Sequence, residues 1–121
     1  MFQLVNKYFL KLELEEGAIV KVLSNAFSIN MISHLTDSTV RFREISSAEI
    51  PADAESQIGH ADLAGLLTNI LGREISVNRS STTLSEDDVL YVAQYIGPRL
   101  QEGAVTLPEG ATIRYYEVTL Q

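Results

Sequence analysis

An apolar run that stops abruptly at small polar residues constrains the fold more than any other feature of this chain. Residues 18–23 are almost continuously apolar, and the next seven are Ser24-Asn25-Ala26-Phe27-Ser28-Ile29-Asn30. A short apolar run is typical of a buried strand, and Ser28 or Asn30 can cap a following helix. We therefore predict a strand that leads into a short helix over residues 29–34. Such a junction exposes backbone N–H groups that bind anions, which predicts a phosphate-bearing ligand.

The rest of the chain alternates helical and strand-like patterns. Residues 61–71, directly after His60, place five apolar side chains at helical spacing, and Gly72 provides a stop. Strands are predicted over residues 38–45, 74–77, 89–94 and 112–120. We therefore expect an α/β domain of the α+β kind, with a mixed sheet of about five strands flanked by helices.

Composition narrows the classes of protein that this chain can be. Its 121 residues, 45% of them hydrophobic, suit one domain with a real core. The absence of cysteine excludes disulfides and thiol catalysis, and two histidines disfavour a zinc site. No stretch approaches the roughly 20 apolar residues of a membrane span, and the first residues lack the apolar core of a signal peptide. We expect a cytoplasmic protein that does not bind membranes.

The charge of the chain restricts its partners. The net charge is −7, which argues against binding DNA or long RNA, because such proteins neutralise many phosphates. A small anion remains a possible ligand. All three lysines lie within the first 21 residues, so a positive site further on must use arginine. The planar guanidinium fork suits that task, since it can hold phosphate oxygens at two points.

Five short blocks occur in a fixed order along the chain. They are Ser24-Asn25-Ala26-Phe27-Ser28-Ile29-Asn30-Met31, Ile58-Gly59-His60, Val77-Asn78-Arg79, Leu90-Tyr91-Val92-Ala93-Gln94 and Arg99-Leu100-Gln101-Glu102-Gly103. With these blocks the chain resembles the viral ring nuclease family, also called type III anti-CRISPR proteins, which destroy the cyclic tetra-adenylate messenger of type III CRISPR systems. The resemblance implies a ring nuclease-like domain over residues 18–121, preceded by an N-terminal extension over residues 1–17.

The resemblance also implies an activity and a partner. It implies a homodimer that holds cyclic tetra-adenylate across its two-fold axis and cuts the ring without a metal or other cofactor. The product is linear di-adenylate with 2′,3′-cyclic phosphate ends. The chemistry requires alignment of a ribose 2′-OH, stabilisation of charge on the phosphoryl oxygens and protonation of the leaving 5′-oxygen.

Three residues are the catalytic candidates that the resemblance implies. His60 is the expected general acid, because an imidazole can give up a proton near neutral pH. Arg99 is expected to hold the scissile phosphate, and Glu102 to orient the nucleophile or fix Arg99. Structural alternatives are open for each: His60 can cap the helix, Arg99 can pair with Glu102 on the surface, and Glu102 can be merely solvated.

Five further residues are the substrate-binding candidates. Asn25, Ser28 and Asn30 match ligand-contacting positions of the family, where short amides and hydroxyls can bind phosphate, ribose or adenine edges. Arg79 is expected to reach a phosphate or stack on an adenine, and Gln94 to read a base edge. The structural alternatives are helix capping for the first three and a satisfied amide at a strand end for Gln94.

Two other functions fit the same sequence. One is a binding protein that holds a cyclic nucleotide without cleaving it, and His60→Ala distinguishes it from an enzyme. The other is a small interaction protein with no nucleotide ligand, in which Arg79 and Arg99 are replaceable without consequence.

Overall fold

Five strands form one mixed sheet, and one α-helix of the described chain packs on a face of it. The computed structural model describes residues 20–32, 39–79, 83–85 and 87–120. The strands are β1 (Lys21–Ser24), β2 (Val40–Ile45), β3 (Glu55–Ser56), β4 (Val89–Ile96) and β5 (Thr112–Leu120), and the helix is α1 (Ala61–Leu71). Two short 3-10 helices span Ile29–Met31 and Ser47–Glu49. The proposed N-terminal extension, residues 1–17, lies outside the described residues.

The strand order is β2-β5-β4-β1-β3. β1 pairs in parallel with β3 on one side and with β4 on the other, where Lys21 is opposite Val89 and Ser24 is opposite Val92. β5 pairs antiparallel with both β4 and β2. The apolar run at the end of β1 thus has a strand on each side, as expected for a buried parallel strand. The carboxyl ends of β1 and β4 consequently lie at the same edge of the sheet.

Side chains of β4 alternate between two hydrophobic clusters on opposite faces of the sheet. Tyr91 and Ala93 belong to the cluster that packs against α1. Leu90 and Val92 belong to the other cluster, which the segment after β1 partly covers with Phe27. The sheet face with Tyr91 and Ala93 is therefore covered by α1. On the opposite face, residues of loop segments in the described chain pack against Leu90 and Val92.

The helix predicted over residues 61–71 is confirmed at both ends. Leu63, Leu66 and Leu67 are buried against the sheet, as their helical spacing indicates. Gly72 adopts the left-handed conformation, with φ 73°, and its N–H donates to the Thr68 carbonyl at 3.1 Å. Glycine ends helices in this way because it lacks the Cβ that disfavours a positive φ.

One predicted strand is wrong. Residues 74–77 do not form a strand: the Ile75 N–H donates to Thr68 Oγ1 at 2.9 Å, and Val77 makes only an isolated parallel bridge with Ile58. Thr68 in α1 thus accepts from the Ile75 N–H, which a strand would use for pairing. The fifth strand of the sheet is instead the two-residue β3.

Of the two helices predicted, over residues 29–34 and 61–71, one is an α-helix in the described chain. The helix expected over residues 29–34 is a three-residue 3-10 helix, Ile29–Met31, and residues 33–34 lie outside the described chain. Ser28 caps it, since its Oγ accepts from the Asn30 N–H at 3.2 Å. Among the described residues, no helix is both long and apolar enough to span a membrane.

Two neighbouring positions of α1 should respond to alanine in opposite directions. Leu66 is fully buried, so we expect Leu66→Ala to lower the free energy of unfolding by about 2–5 kcal/mol through lost burial and a residual cavity. Gly65 is exposed and an added Cβ meets nothing within 4 Å, so Gly65→Ala should raise it by about 0.5–1 kcal/mol. Urea denaturation measures both, and an equal effect of the two variants would contradict the packing of this helix.

Candidate functional site

A cleft lies where β1 and β4 end and α1 begins. Its volume is about 500 Å3, and four of the sequence-predicted site residues line it: Asn25, His60, Gln94 and Arg99. Asp62, Leu63, Tyr95, Gly97 and Leu100 complete the lining. Ligands of α/β proteins commonly bind beyond the carboxyl ends of parallel strands, where helix N-termini and loops converge. The cleft has that position in this fold.

Parallel pairing brings the two amides of the cleft together. Asn25 directly follows β1, and Gln94 lies near the end of β4. The last pair in the register is Ser24 with Val92, so both side chains lie just beyond the paired part of the two strands. Their amides offer donors and acceptors in the same part of the cleft.

His60 stands at the N-terminus of α1, and no hydrogen bond to another described residue engages its imidazole. Its backbone is extended, with φ −120° and ψ 124°, and its side chain makes no capping hydrogen bond. The capping role that the sequence left open is therefore not what the side chain does. The first bond of the helix runs from the Ala64 N–H to the His60 carbonyl at 3.0 Å. The preceding N–H groups, at residues 61–63, are the helix donors that can face an anion.

Arg79 contacts the residue that precedes His60 and is not among the residues that line the cleft. Its Nε donates to the Gly59 carbonyl at 2.8 Å. A Cβ added at Gly59 would lie 3.2 Å from Arg79 Cγ, so this glycine lets the arginine chain approach closely. The Asn78 N–H donates to the Ile58 carbonyl at 2.9 Å and holds the two segments together. Arg79 therefore braces the peptide that precedes His60.

Arg99 projects from the segment that follows β4. The Tyr95 hydroxyl donates to the Pro98 carbonyl and closes the turn that leads to Arg99. Arg99 is exposed, and no hydrogen bond or ion pair to another described residue holds its guanidinium. Glu102 lines an adjoining depression with Arg99 and Asp62, without an ion pair to Arg99. The surface pairing of Arg99 with Glu102 that the sequence left open is absent from the described residues.

Ser28 and Asn30 are not among the residues that line the cleft. Both side chains are exposed, and the Ser28 hydroxyl is engaged in capping the 3-10 helix. Capping, the structural alternative for Ser28, is thus what the structure shows. The predicted site residues divide into a convergent set of four, a neighbouring Glu102 and an outlying set of Ser28, Asn30 and Arg79.

The cleft also contains residues that were not assigned a role from the sequence. Asp62, in the first turn of α1, places a carboxyl group beside His60 and Arg99. Tyr95 and Gly97 shape the turn before Arg99, and the Gly97-Pro98 dipeptide is the local signal that could have identified it. Within the described ranges, no three histidine, cysteine or acidic side chains cluster as metal ligands would.

The cleft combines the imidazole of His60 with the guanidinium of Arg99, neither of which is engaged by another residue of the described chain. Arg99 supplies a fixed positive charge, and the start of α1 supplies backbone donors. The Asn25 and Gln94 amides can pair with base edges or ribose hydroxyls. These groups together suit a phosphate that is attached to a nucleoside.

Comparison with known proteins gives two similarities. The model of a family named STIV B116-like matches residues 21–117 of the chain. The structure of B116 of Sulfolobus turreted icosahedral virus (STIV) superposes with a TM-score of 0.68 at 25% sequence identity, covering 83% of this chain and 98% of that chain. No curated protein sequence matches the chain.

The turn before Arg99 should not tolerate a side chain at Gly97. A Cβ there would lie 2.6 Å from Ala111 Cβ and 2.8 Å from Ala111 Cα, closer than real Cβ contacts. Gly110→Ala is the matched control, since Gly110 has φ 86° but open space, and its strain alone should cost about 1–2 kcal/mol. We expect Gly97→Ala to lower the free energy of unfolding by more than Gly110→Ala does. Equal losses by urea denaturation would contradict the close approach to Ala111.

Proposed function

The chain belongs to the STIV B116-like family, a viral protein family, and from that premise we propose that it is a ring nuclease. In this proposal it binds cyclic tetra-adenylate at a dimer interface and cleaves the ring to linear di-adenylate without a metal. The biological effect would be to switch off cyclic-oligoadenylate signalling by type III CRISPR systems, as an anti-CRISPR protein does.

The observation that supports the proposal most is the convergence of four residues from distant parts of the sequence. Asn25, His60, Gln94 and Arg99 were selected from separate sequence blocks, and all four line one cleft. If each of these residues had only a structural role, the four would not need to lie on the same surface. The imidazole and the guanidinium are also free of partners among the described residues, so both are available to a ligand.

The proposed reaction is an in-line transfer within the RNA-type backbone. The ribose 2′-oxygen attacks the adjacent phosphorus, the bond from phosphorus to the 5′-oxygen breaks, and the 2′-OH proton is lost to solvent or a nearby base. A 2′,3′-cyclic phosphate forms, and the 5′-oxygen leaves as a hydroxyl after it gains a proton. Two such cuts convert the four-membered ring into two di-adenylates.

His60 and Arg99 take complementary roles in this reaction. Protonated His60 gives its proton to the leaving 5′-oxygen, which would otherwise depart as an alkoxide. Arg99 donates to the phosphoryl oxygens, on which negative charge develops in the transition state. The backbone N–H groups at the start of α1 add further donors. They also compensate for the Asp62 carboxyl, whose charge opposes a phosphate in the same cleft.

The remaining candidates have supporting roles. The Asn25 and Gln94 amides read adenine edges, since an amide can pair with a donor and an acceptor of the base. Arg79 acts as a positioning residue, because its bond to the Gly59 carbonyl holds the peptide before His60. Glu102, beside Arg99 in the adjoining depression, can orient the arginine once a ligand is bound. Ser28 and Asn30, outside the cleft of their own chain, would reach a ligand only from elsewhere in the dimer.

The test is a single-turnover incubation with radiolabelled cyclic tetra-adenylate in EDTA. We expect the native protein to produce di-adenylate, and His60→Ala to be about 10²–10⁴-fold slower while retaining the ligand. His34→Ala, which replaces the other histidine of the chain, is the control and should cleave normally.

The other outcomes identify the other functions. Retention of the ring by the native protein without cleavage would make it a sponge, and normal cleavage by His60→Ala would remove His60 as the acid. If neither binding nor cleavage occurs, and Arg79→Ala and Arg99→Ala behave as the native protein does, a small interaction protein without a nucleotide ligand is left.

A further inference from the structure

Asp62 has the only carboxyl group among the nine described residues that line the cleft. It also lines the adjoining depression, together with Arg99 and Glu102. Asp62 therefore lies at the border of the two depressions, on the same surface as the guanidinium that is proposed to hold the scissile phosphate. A ligand that contacts both His60 and Arg99 in this cleft would lie beside the carboxylate as well.

The Asp62 carboxylate has no other partner within the described chain. No hydrogen bond or ion pair to a described residue engages it, and the residue is half-buried. As an acidic residue in the first turn of α1, it interacts favourably with the helix dipole, which stabilises a negative charge there. That interaction does not occupy the carboxylate oxygens, so they are available to accept a proton.

Asp62 and His60 border the start of α1 from different sides. A helix turns by about 100° per residue, so residues two positions apart point in nearly opposite directions around its axis. His60 is the N-cap and Asp62 is the second residue of α1, and both line the cleft. A phosphate bound to the N–H groups of residues 61–63 would have the imidazole on one side and the carboxylate on the other.

This arrangement matches what an in-line transfer at phosphorus requires. The attacking 2′-oxygen and the leaving 5′-oxygen lie on opposite sides of the phosphorus, so separate groups must handle their protons. His60 is assigned to the leaving oxygen. The Arg99 guanidinium only donates, and the amides of Asn25 and Gln94 are too weakly basic to take a proton. The Tyr95 hydroxyl already donates to a backbone carbonyl, which leaves the carboxylate as the acceptor for the 2′-OH.

We propose that Asp62 is the general base of ring cleavage, a role that rests on the proposed function. Its carboxylate takes the proton of the attacking 2′-OH while the 2′-oxygen bonds to phosphorus. The bond from phosphorus to the 5′-oxygen breaks, and the 5′-oxygen gains the proton of His60. Asp62 and His60 both end neutral, so the net charge of the protein is unchanged. Proton exchange with water restores both groups before the second cut.

The first test is Asp62→Asn, for which proton transfer and simple charge repulsion predict different results. If Asp62 is the base, single-turnover cleavage of cyclic tetra-adenylate should slow by about 10²–10⁴-fold, because an amide cannot take the proton. The ring should bind at least as tightly as before, since a negative charge that opposes its phosphates is lost. If Asp62 only repels the phosphates, the same variant should bind more tightly and cleave at least as fast.

Glu109→Gln is the matched control, since it also replaces one carboxylate by an amide. Glu109 is exposed and lines neither the cleft nor the adjoining depression, so this variant should cleave as the native protein does. Asp62→Ala is a second variant without a carboxylate and should lose as much rate as Asp62→Asn. Added formate should restore part of the rate of Asp62→Ala, because it supplies a small carboxylate. Circular dichroism checks that each variant is folded.

The pH dependence of the rate separates the base from the acid. Besides Asp62, the titratable or charged groups among the described residues of the two depressions are those of His60, Tyr95, Arg99 and Glu102. The native rate should fall at low pH, where the base is protonated, and at high pH, where the acid has lost its proton. Asp62→Asn should lack the fall at low pH, His60→Ala the fall at high pH, and Glu102→Gln should keep both.

A ring with sulfur in place of one bridging 5′-oxygen tests whether Asp62 acts directly or only through His60. A thiol has an ordinary pKa of about 8.5, so a thiolate leaves without help from an acid. At that linkage His60→Ala should regain about 10²-fold in rate relative to the oxygen ring. Asp62→Asn should gain no such advantage, because the 2′-OH proton must still be removed. Equal rescue of both variants would make Asp62 a positioning residue for His60 and overturn the inference.

The remaining outcomes distinguish the inference from the proposed function. A native protein that cleaves the ring, with an Asp62→Asn variant that cleaves as fast, would overturn the inference and leave the ring nuclease in place. A native protein that does not cleave the ring would contradict both.

Discussion

The parallel pairing of β1 with β4 is the interaction on which the candidate site depends. It sets the ends of two strands, distant in sequence, at one edge of the sheet and thereby joins Asn25 to Gln94. α1 packs its leucines against the same sheet, which directs its N-terminus and His60 toward that edge. If the register of this pair slipped by one residue, every side chain of β1 would change faces. The core and the site would be lost together.

The site combines rigid supports with unengaged functional groups. Arg79 fixes the Gly59 carbonyl, Tyr95 fixes the Pro98 carbonyl, and both bonds lie one residue before a candidate catalytic side chain. His60 and Arg99 themselves have no partner among the described residues. A binding site needs a backbone that its neighbours hold in place and side chains that remain available, because the ligand then provides the interactions that these side chains lack.

Periodic patterns allowed most of the fold to be predicted. The helix over residues 61–71, its stop at Gly72 and strands over residues 38–45, 89–94 and 112–120 were predicted from local sequence patterns. The structure has the helix and its stop as predicted and the strands at Val40–Ile45, Val89–Ile96 and Thr112–Leu120. The exceptions are short. β3 has two residues, too few for a period, and residues 74–77 have strand-like composition but bond to Thr68 of α1. Neither the pairing of β3 with β1 nor the bond between Ile75 and Thr68 can be inferred from local sequence, because each depends on which distant segment packs nearby.

The sequence by itself determined which residues are candidates and which elements hold them. Residue type gives the chemistry of an imidazole or a guanidinium, and apolar spacing gives the helix and strands, because both are local properties. Only the tertiary structure decided which candidates meet. It places Asn25, His60, Gln94 and Arg99 in one cleft. Ser28 and Arg79 lie outside it, where Ser28 caps the 3-10 helix and Arg79 holds the Gly59 carbonyl. Strand order and register decide these distances, and both arise from pairing between segments far apart in the chain.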